Sequence, residues 1–273
     1  MNSSQTELSH RSFDYRQSHL DPDKGSGYDR RYREIPWRRY LWSREQTALG
    51  HVLAEYFDDR PIRYLDFACG TGRIMQFLQS RVSSCTGVDL SDTMLQLCRA
   101  KLPAAEIIAA DLTENDILAD RRFDLITAFR FFTNAQPDLR RQALAILVRH
   151  LADDGLLVIN NHRNASSLLL RMSRALSKDL HCMSEREVGE LTAETGLAII
   201  DAFPIGLWPG HDSVPMILPA WLHRFLDQSA HRCGLGRSLC QDILYVCQKA
   251  RTSSGTDSVD SSASSNTLCE MAL

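Results

Sequence analysis

The sequence predicts an α/β protein whose core is a doubly wound, mostly parallel β-sheet with helices on both faces. Between about residues 60 and 250, seven short apolar runs alternate with segments of helical periodicity. The apolar runs lack an alternation with polar residues, which is typical of strands that are covered on both faces, and such strands are mostly parallel. Right-handed crossovers between parallel strands then produce a doubly wound sheet.

The first half of this region contains four predicted strands and the helices that connect them. Ser91 precedes the second of these helices as an N-cap, and Pro103 ends it. A longer helix is predicted from about Pro137 to Leu151, with its apolar residues near one face. The four strands are predicted at residues 62–69, 85–90, 105–111 and 123–129.

The second half supplies the remaining three strands, at residues 155–162, 197–203 and 242–249. A helix between the first two of them begins after Ser184, where Glu187 completes a capping box. Gly196 is placed to end that helix, because glycine adopts the left-handed conformation that closes a last turn.

The chain has 273 residues and a hydrophobic fraction of 44%, which suits one main globular domain. We place that domain at residues 61–250, with an insertion at 204–237 between its last two strands. Residues 28–60 are rich in aromatic and arginine side chains and are predicted to form a helical segment that acts as a lid. The polar residues 1–27 are predicted to be a flexible arm, and the serine-rich residues 251–273 a disordered tail.

Composition excludes several classes of protein. The 31 Lys and Arg residues nearly balance the 34 Asp and Glu residues, which argues against a strongly basic protein that coats nucleic acid. No apolar run approaches the ~20 residues that span a bilayer, and the first residues lack the apolar core of a secretory signal. The eight cysteines include no Cys-x-x-Cys pair, so no metal site is predicted. We therefore expect a soluble protein in the cytoplasm.

A glycine-rich loop follows the first predicted strand and precedes a helix. Gly70 and Gly72 allow the backbone to turn tightly and to approach a ligand closely. Met75 stands where a dinucleotide-binding fingerprint needs its third glycine, which argues against a nicotinamide-dependent oxidoreductase. Asp66 suits a cationic or hydroxyl-bearing ligand better than a pyrophosphate. A purely structural turn is the alternative interpretation of the two glycines.

Two further acids end the next two predicted strands. Asp89 is placed to bind both hydroxyls of a ribose. The alternative role of Asp89, capping the helix that follows, is less needed because Ser91 and Asp92 already supply that capping chemistry. Asp111 could accept a hydrogen bond from an adenine amino group while Leu112 packs on the ring; a solvated loop acid is the alternative.

The series LDFACGTGR, GVDLS, AADL, FDLITAFRFF and LADDGLLVINNH resembles the class I S-adenosylmethionine-dependent methyltransferases over about residues 60–165. The resemblance implies a seven-stranded sheet of order 3-2-1-4-5-7-6 whose last strand is antiparallel, with S-adenosyl-L-methionine as cofactor. Ala68 stands where the family often has glycine. The resemblance assigns Asp66, Ala68, Gly70 and Gly72 to the methionine part and the loop, Asp89 to the ribose, Asp111 and Leu112 to the adenine, Phe129 and Arg130 to the floor, and Leu90 and Met94 to the same cofactor site.

The family has no universal catalytic residue, because methyl transfer needs mainly alignment and exclusion of water. His162, which ends the fifth predicted strand, is the candidate general base; a purely structural histidine is the alternative. Arg130 could bind an acidic acceptor or the carboxylate of the cofactor, and a surface ion pair is equally compatible with the sequence.

Two segments outside the strands are candidates for shaping the acceptor site. In the insertion, Ile217, Leu218, Trp221, Leu222, Phe225 and Leu226 form an apolar stripe at helical spacing. The stripe could bind the acceptor, pack on the sheet, or contact a second subunit. The aromatic and arginine-rich residues 28–44 could cover the cofactor, or make a modest contact with nucleic acid.

These observations predict a methyltransferase that acts on an oxygen or nitrogen atom of a small-molecule acceptor, with no nucleic-acid partner. The residues after the fourth strand, Phe131 to Pro137, lack the [Asp/Asn]-Pro-Pro-aromatic motif of enzymes that methylate amino groups of adenine or glutamine. The alternatives are a methyltransferase-like module that binds RNA or protein, and a methyltransferase that acts on a macromolecule. The sequence makes no prediction of the oligomeric state.

Overall fold

The computed structural model describes residue 16 and residues 24–58, 60–174, 182–207, 216 and 218–250. The predicted tail at 251–273, and most of the predicted arm at 1–27, lie outside the described residues.

The strands form one seven-stranded sheet of order β3-β2-β1-β4-β5-β7-β6. β1 to β5 are mutually parallel, and β7 runs antiparallel to both of its neighbours, β5 and β6. The predicted fold class, strand order and antiparallel last strand are therefore confirmed. The strands are β1 (Arg63–Phe67), β2 (Ser84–Asp89), β3 (Glu106–Ala109), β4 (Phe123–Ala128), β5 (Leu151–His162), β6 (Leu197–Ile205) and β7 (Asp242–Lys249).

Helices precede the sheet and connect its strands. The predicted capping box is present, since the Ser184 hydroxyl accepts from the Glu187 N–H and the Glu187 carboxylate accepts from the Ser184 N–H. Ser91 occupies an N-cap position, but its hydroxyl makes no capping hydrogen bond and lies 3.1 Å from the Thr93 hydroxyl. The helices are α1 (Lys24–Glu34), α2 (Pro36–Tyr56), α3 (Arg73–Leu78), α4 (Asp92–Lys101), α5 (Pro137–His150), α6 (Leu168–Arg174), α7 (Glu185–Glu194), α8 (Ala220–Arg232) and α9 (Gly236–Leu239), with a 3₁₀ turn at Gln79–Arg81.

The two faces of the sheet are covered by different helices. On one face, Leu65, Phe123 and Ile126 pack in a core with residues of α5 and α7. On the other face, Tyr64 and Val158 pack in a second core with residues of α2, α3 and α4. Because side chains alternate along a strand, every second residue of β1, β5 and β7 faces α2.

The insertion between β6 and β7 packs in a way that the apolar stripe did not predict. Trp221 and Phe225 on α8 are 69% and 60% exposed, so for these two side chains the alternative of packing on the sheet is wrong. The buried face of α8 contains His223 and Asp227 instead. The Asp227 carboxylate accepts hydrogen bonds from the Tyr40 hydroxyl at 2.5 Å and from the backbone N–H groups that follow β6, at 2.7 and 3.1 Å. These charge-assisted bonds outweigh the apolar contacts that the stripe would make. Ile217 lies outside the described residues.

In the part of the chain that the structure describes, no helix has both the length and the apolar character that a crossing of the bilayer requires.

Candidate active site

The glycine-rich loop connects β1 to α3 through a series of left-handed residues. Ala68, Gly70 and Gly72 have φ angles of 56°, 54° and 76°. A Cβ on Gly72 would lie 2.5 Å from the Cys98 Sγ, so the loop accepts only glycine there. Ala68 carries a Cβ in a conformation that costs an L-residue about 1–2 kcal/mol. Backbone strain of this kind is typical of functional loops.

Asp89, at the end of β2, fixes the loop. Its carboxylate is buried and accepts a hydrogen bond from the Gly70 N–H at 2.8 Å and another from the Ser91 N–H at 2.9 Å. Each bond engages one carboxylate oxygen, so the geometry orients the Asp89 side chain beside the glycine-rich loop.

A cleft opens at the carboxyl ends of β1, β2 and β3, with about 450 Å³ of space that includes open solvent. Most of the lining is apolar, with the Asp89 and Asp111 carboxylates at its edge. The predicted cofactor residues that line the cleft are Ala68, Asp89, Leu90, Asp111 and Leu112.

Arg16, from the predicted arm, also lines this cleft. Its Nε lies 2.6 Å from the Asp111 carboxylate, and its Nη2 donates to the Thr113 hydroxyl at 2.6 Å. The Asp111 side chain is only 12% exposed, so it is not the solvated loop acid of the alternative interpretation. Sequence reasoning missed Arg16, because a single arginine in a polar arm gives no signal of its partner.

Asp66 lies beneath the glycine loop and is 1% exposed. Its Oδ1 accepts from the Thr127 hydroxyl at 2.6 Å, whereas Oδ2 is buried and has no hydrogen-bond partner among the described residues. Burial raises the pKa of Asp66 to about 7, although the hydrogen bond from Thr127 and the charge of Arg73 oppose this increase. A buried carboxylate oxygen without a partner is the kind of group that a cationic ligand satisfies.

Asp66 belongs to a larger group of polar residues on the sheet face that α2 covers. We name Asp66, Asn160, His162 and Asp242 the polar patch. All four are at most 5% exposed, and each has at least one buried polar atom without a partner among the described residues. Native proteins bury few such atoms, so their concentration at the carboxyl edge of one sheet indicates a site for a polar ligand.

Asp242 is a residue that sequence reasoning missed. It begins β7, and because β7 is antiparallel, its first residue lies at the edge where β1, β4 and β5 end. It stands opposite His162 in the strand register. Burial raises the pKa of Asp242 to about 7, and the charges of Arg130, Arg38 and Arg163 only partly offset that effect. A search of strand beginnings as well as strand ends would have found it.

His162 is held as a neutral ring. Burial, together with the positive charges of Arg130, Arg163 and Arg38, keeps its pKa well below the ordinary range. The Arg163 Nη2 donates to His162 Nε2 at 2.9 Å. A guanidinium only donates, so the ring proton of neutral His162 is assigned to Nδ1, and the lone pair on Nε2 is already engaged. In this arrangement the ring is poorly suited to accept a proton.

The remaining predicted residues surround the same loop. Met94 is 6% exposed and packs against Gly70, and Phe129 is 7% exposed and belongs to the core under α2. Arg130 has a φ of 60°, and its Nε is buried without a partner among the described residues. It also forms no ion pair with an acid among the described residues, so the exposed ion pair that was one of its sequence interpretations is not observed there.

Helix α1 covers this part of the site. Asp29 accepts from the Thr71 hydroxyl of the glycine loop at 2.6 Å and also pairs with Lys101 of α4. The buried Tyr32 ring lies 4.2 Å from the Arg73 Cζ and 5.6 Å from the Arg130 Cζ. The charge of Arg73 is balanced by Glu45, 2.6 Å away. Helix α1 thus closes over the loop through one carboxylate and one aromatic ring.

Known proteins resemble part of this chain in sequence. Residues 65–155 match the family model of a methyltransferase domain. The dTDP-4-amino-2,3,4,6-tetradeoxy-D-glucose N,N-dimethyltransferase of Saccharopolyspora spinosa is 33% identical over 35% of this chain and 38% of its own length. The demethylmenaquinone methyltransferase of Thermotoga maritima is 36% identical over 36% of this chain and 43% of its own. Across the curated relatives that it matches, the chain spans between 38% and 54% of their length.

Solved structures extend the similarity to most of the described fold. An S-adenosylmethionine-dependent methyltransferase from Clostridium acetobutylicum aligns with a TM-score of 0.58 at 15% identity, over 83% of this chain and 99% of the other. The structural likeness confirms the predicted fold.

Proposed function

The chain carries the class I S-adenosylmethionine-dependent methyltransferase fold, and on that premise we propose that it transfers a methyl group from S-adenosyl-L-methionine to an oxygen or nitrogen atom of a small molecule. One observation carries the proposal furthest. The cleft lined by Asp89 and Asp111 adjoins the polar patch through the glycine loop, so that an apolar-walled site and a row of unsatisfied polar atoms lie along one edge of the sheet.

The described residues fit the parts of this cofactor. The Asp89 carboxylate suits the ribose hydroxyls, and the Asp111 side chain, with Leu112, suits the adenine. The unpartnered Oδ2 of Asp66 suits the ammonium of the methionine part, and the buried Nε of Arg130 suits its carboxylate. When bound, the cofactor supplies an electrophilic methyl group on a sulfonium.

The protein would contribute alignment and exclusion of water. Helix α1 closes over the loop, and the Tyr32 ring, at 6% exposure, replaces solvent above Arg73 and Arg130. An acceptor at the ends of β4 and β5 would face the methyl group from the side of the sheet that α2 covers. Holding the two reactants in line is the main source of rate enhancement that this arrangement offers.

A general base is needed only if the acceptor loses a proton. We assign that role to Asp242 rather than to His162, because Asp242 Oδ1 is buried and unpartnered among the described residues, whereas His162 Nε2 is engaged by Arg163. A carboxylate with a pKa of about 7 is also matched to proton transfer near neutral pH. His162 remains the second candidate.

Analysis of the methylated product identifies the atom that accepts the methyl group. The curated relatives include an N,N-dimethyltransferase of a nucleotide sugar and C-methyltransferases of quinones. Oxygen and nitrogen attack through an existing lone pair, whereas carbon must first be activated by loss of a proton. Two-dimensional NMR of a product made with ¹³C-methyl cofactor distinguishes methyl groups on oxygen, nitrogen and carbon by their chemical shifts. A methyl group on carbon would refute the proposal that the acceptor atom is oxygen or nitrogen.

Cofactor binding is the first test. Isothermal titration of wild-type protein with S-adenosylhomocysteine should show one site, and Asp89→Ala should weaken binding by at least about a hundredfold, because two charge-assisted hydrogen bonds are lost. Asp92→Ala is the matched control, since Asp92 is exposed three positions away. Absence of binding by the wild type would overturn the proposed function.

A cytoplasmic location belongs to the proposal as well. The seven described cysteines are all free thiols, which suits a reducing compartment. Fractionation of cells that express the tagged chain tests this location.

A further inference from the structure

Three arginines converge beside the polar patch, at the ends of β4 and β5 and on α2. Arg130 follows β4, Arg163 follows β5, and Arg38 projects from α2. All three act electrostatically on His162 and on Asp242, which places their charges around the same point of the sheet edge. Asn134 connects two of them: its amide donates to the Arg130 carbonyl at 2.6 Å, and its side-chain oxygen accepts from Arg163.

The negative charge near Arg163 is limited among the described residues. Glu45 on α2 is paired with Arg73 at 2.6 Å. Asp242 is an acid that acts on Arg163, and with a pKa of about 7 it is only partly ionised near neutral pH. Arg163 therefore faces only a partial counter-charge from Asp242.

The contacts of Arg163 itself show this incomplete balance. Its Nε is buried and has no hydrogen-bond partner among the described residues, and its Nη2 donates to the neutral His162 and to the amide oxygen of Asn134. Burial lowers the pKa of Arg163, whereas Glu45 raises the pKa of Arg73 despite the opposing effect of burial. A partly buried cation with an incomplete counter-charge is unfavourable, and an incoming oxyanion would relieve that cost.

Two anions could bind at this cluster, namely the carboxylate of the cofactor and an oxyanion of the methyl acceptor. The order of the strands in the sheet indicates which arginine is nearer to each. Arg130 follows β4, which lies directly beside β1 and its glycine loop, so of these three arginines we take it as the one nearest to the methionine part of the cofactor. Arg163 ends β5, two strands from β1, or about 10 Å in strand spacing. That position is at the end of the sheet where the proposed function places the methyl acceptor.

We propose that Arg163, supported by Arg38, binds an oxyanion of the methyl acceptor, so that the acceptor is a small molecule bearing a carboxylate or a phosphate group. This inference rests on the proposed function, since it takes Arg130 as the partner of the cofactor's own carboxylate. The recognised chemistry is shared by carboxylates and phosphates, and the planar fork of arginine suits both.

The test uses the full chain loaded with S-adenosylhomocysteine and three probes that share one ring. Benzoate and phenyl phosphate carry the two oxyanions, and benzamide is the neutral control. Wild-type protein should bind one of the two anions about tenfold to a hundredfold more tightly than benzamide, the range expected for hydrogen bonds to a charged group. The tighter of the two identifies the group on the acceptor.

Substitutions then assign the preference to residues. Arg163→Gln should abolish the preference for an anion without changing the affinity for S-adenosylhomocysteine, and Arg163→Lys should retain part of it. Arg38→Gln should reduce the preference and serves as the second variant if Arg163→Gln does not fold. Arg141→Gln, at an exposed surface arginine, is the matched control and should leave it unchanged.

Equal affinity of the wild type for all three probes would overturn the inference, as would a preference that persists in both Arg163→Gln and Arg38→Gln. Binding of S-adenosylhomocysteine is measured in the same samples. If the wild type binds S-adenosylhomocysteine but shows no preference for an anion, only the inference about the acceptor is refuted. If the wild type does not bind S-adenosylhomocysteine, the proposed function is refuted.

Discussion

Replacing Asp66 by asparagine should stabilise the protein at alkaline pH while weakening its binding of the cofactor. The Asp66 carboxylate is 1% exposed, and its Oδ2 has no partner among the described residues. Asparagine preserves the acceptor for the Thr127 hydroxyl and removes the charge. The substitution therefore isolates the cost of ionising a buried carboxyl group.

The magnitude follows from the pKa. Burial raises the pKa of Asp66 from 3.8 to about 7, so the folded state holds a proton that the unfolded state releases. Stability then falls as pH rises between these two values, by about 1.4 kcal/mol per unit. The accumulated cost is about 1.7 kcal/mol near pH 5 and about 4.3 kcal/mol near pH 8, where the group is ionised in both states.

The advantage of Asp66→Asn over wild type should thus grow by about 2.6 kcal/mol between about pH 5 and pH 8. Urea unfolding at the two pH values measures this difference. The comparison cancels every effect that does not depend on pH, including the energy of an amide group that lacks a partner in the site. Only the ionisation of Asp66 contributes to the difference.

Asp124→Asn is the matched control. Asp124 is buried in the same sheet, but hydrogen bonds from Arg63 lower its pKa. Its ionisation is therefore complete by about pH 5, and the effect of Asp124→Asn should be the same at both pH values. Its position at the start of β4, at the opposite edge of the sheet, should also leave cofactor binding unchanged.

Titration with S-adenosylmethionine completes the experiment. Asp66→Asn should weaken binding about tenfold to a hundredfold, because the ammonium of the methionine part loses a charged partner. An equal stability effect at both pH values would refute the raised pKa. An unchanged dissociation constant would refute the placement of the ammonium at Asp66, whatever the stability data show.

Three further substitutions test other parts of the site. Gly72→Ala should destabilise the protein by about 2–4 kcal/mol in urea unfolding, because φ is 76° and the new Cβ would lie 2.5 Å from the Cys98 Sγ, whereas Gly50→Ala, in open space on α2, should stabilise it slightly. Glu45→Gln leaves the Arg73 charge buried without its counter-ion and should cost about 3–5 kcal/mol by the same measurement, while Glu55→Gln, exposed on the same helix, should cost little. Asp242→Asn should lower kcat and remove the increase of kcat with pH around 7 that its raised pKa predicts; an increase that persists in this variant would reject Asp242 as the base.

The sequence was most informative where the periodicity was simple. Strands buried on both faces lack polar alternation, so their number and approximate positions could be predicted, and the acids that end β1 and β2 followed from the rule that ligands bind at the carboxyl edge. The capping box at Ser184 was predictable for a related reason, since both of its hydrogen bonds join residues three positions apart.

Contacts between distant segments were not predictable in this way. Asp242 was missed because the rule about strand ends holds for parallel strands, and its antiparallel strand reverses it. The orientation of α8 was missed because Asp227 accepts three hydrogen bonds from residues on α2 and after β6, none of which lies near it in sequence. The apolar spacing of Trp221 and Phe225 carries no information about those partners.

Buried charged groups follow one another in a fixed order along the carboxyl edge of the sheet, and this order indicates how a ligand would be oriented in the site. Among the described residues, a carboxylate oxygen without a hydrogen-bond partner lies at β1, guanidinium nitrogens without partners follow at the ends of β4 and β5, and a second carboxyl group with a pKa of about 7 lies at β7. Burial of each of these groups lowers stability in the free protein, and a ligand of opposite charge recovers the loss. An ammonium next to a carboxylate, followed by a second oxyanion, is the sequence of charges that satisfies Asp66, Arg130 and Arg163, and it leaves Asp242 to accept a proton as the proposed base. A cofactor with an amino-acid tail bound beside an acidic acceptor presents that sequence, which is why the two proposals fit one edge of the sheet together.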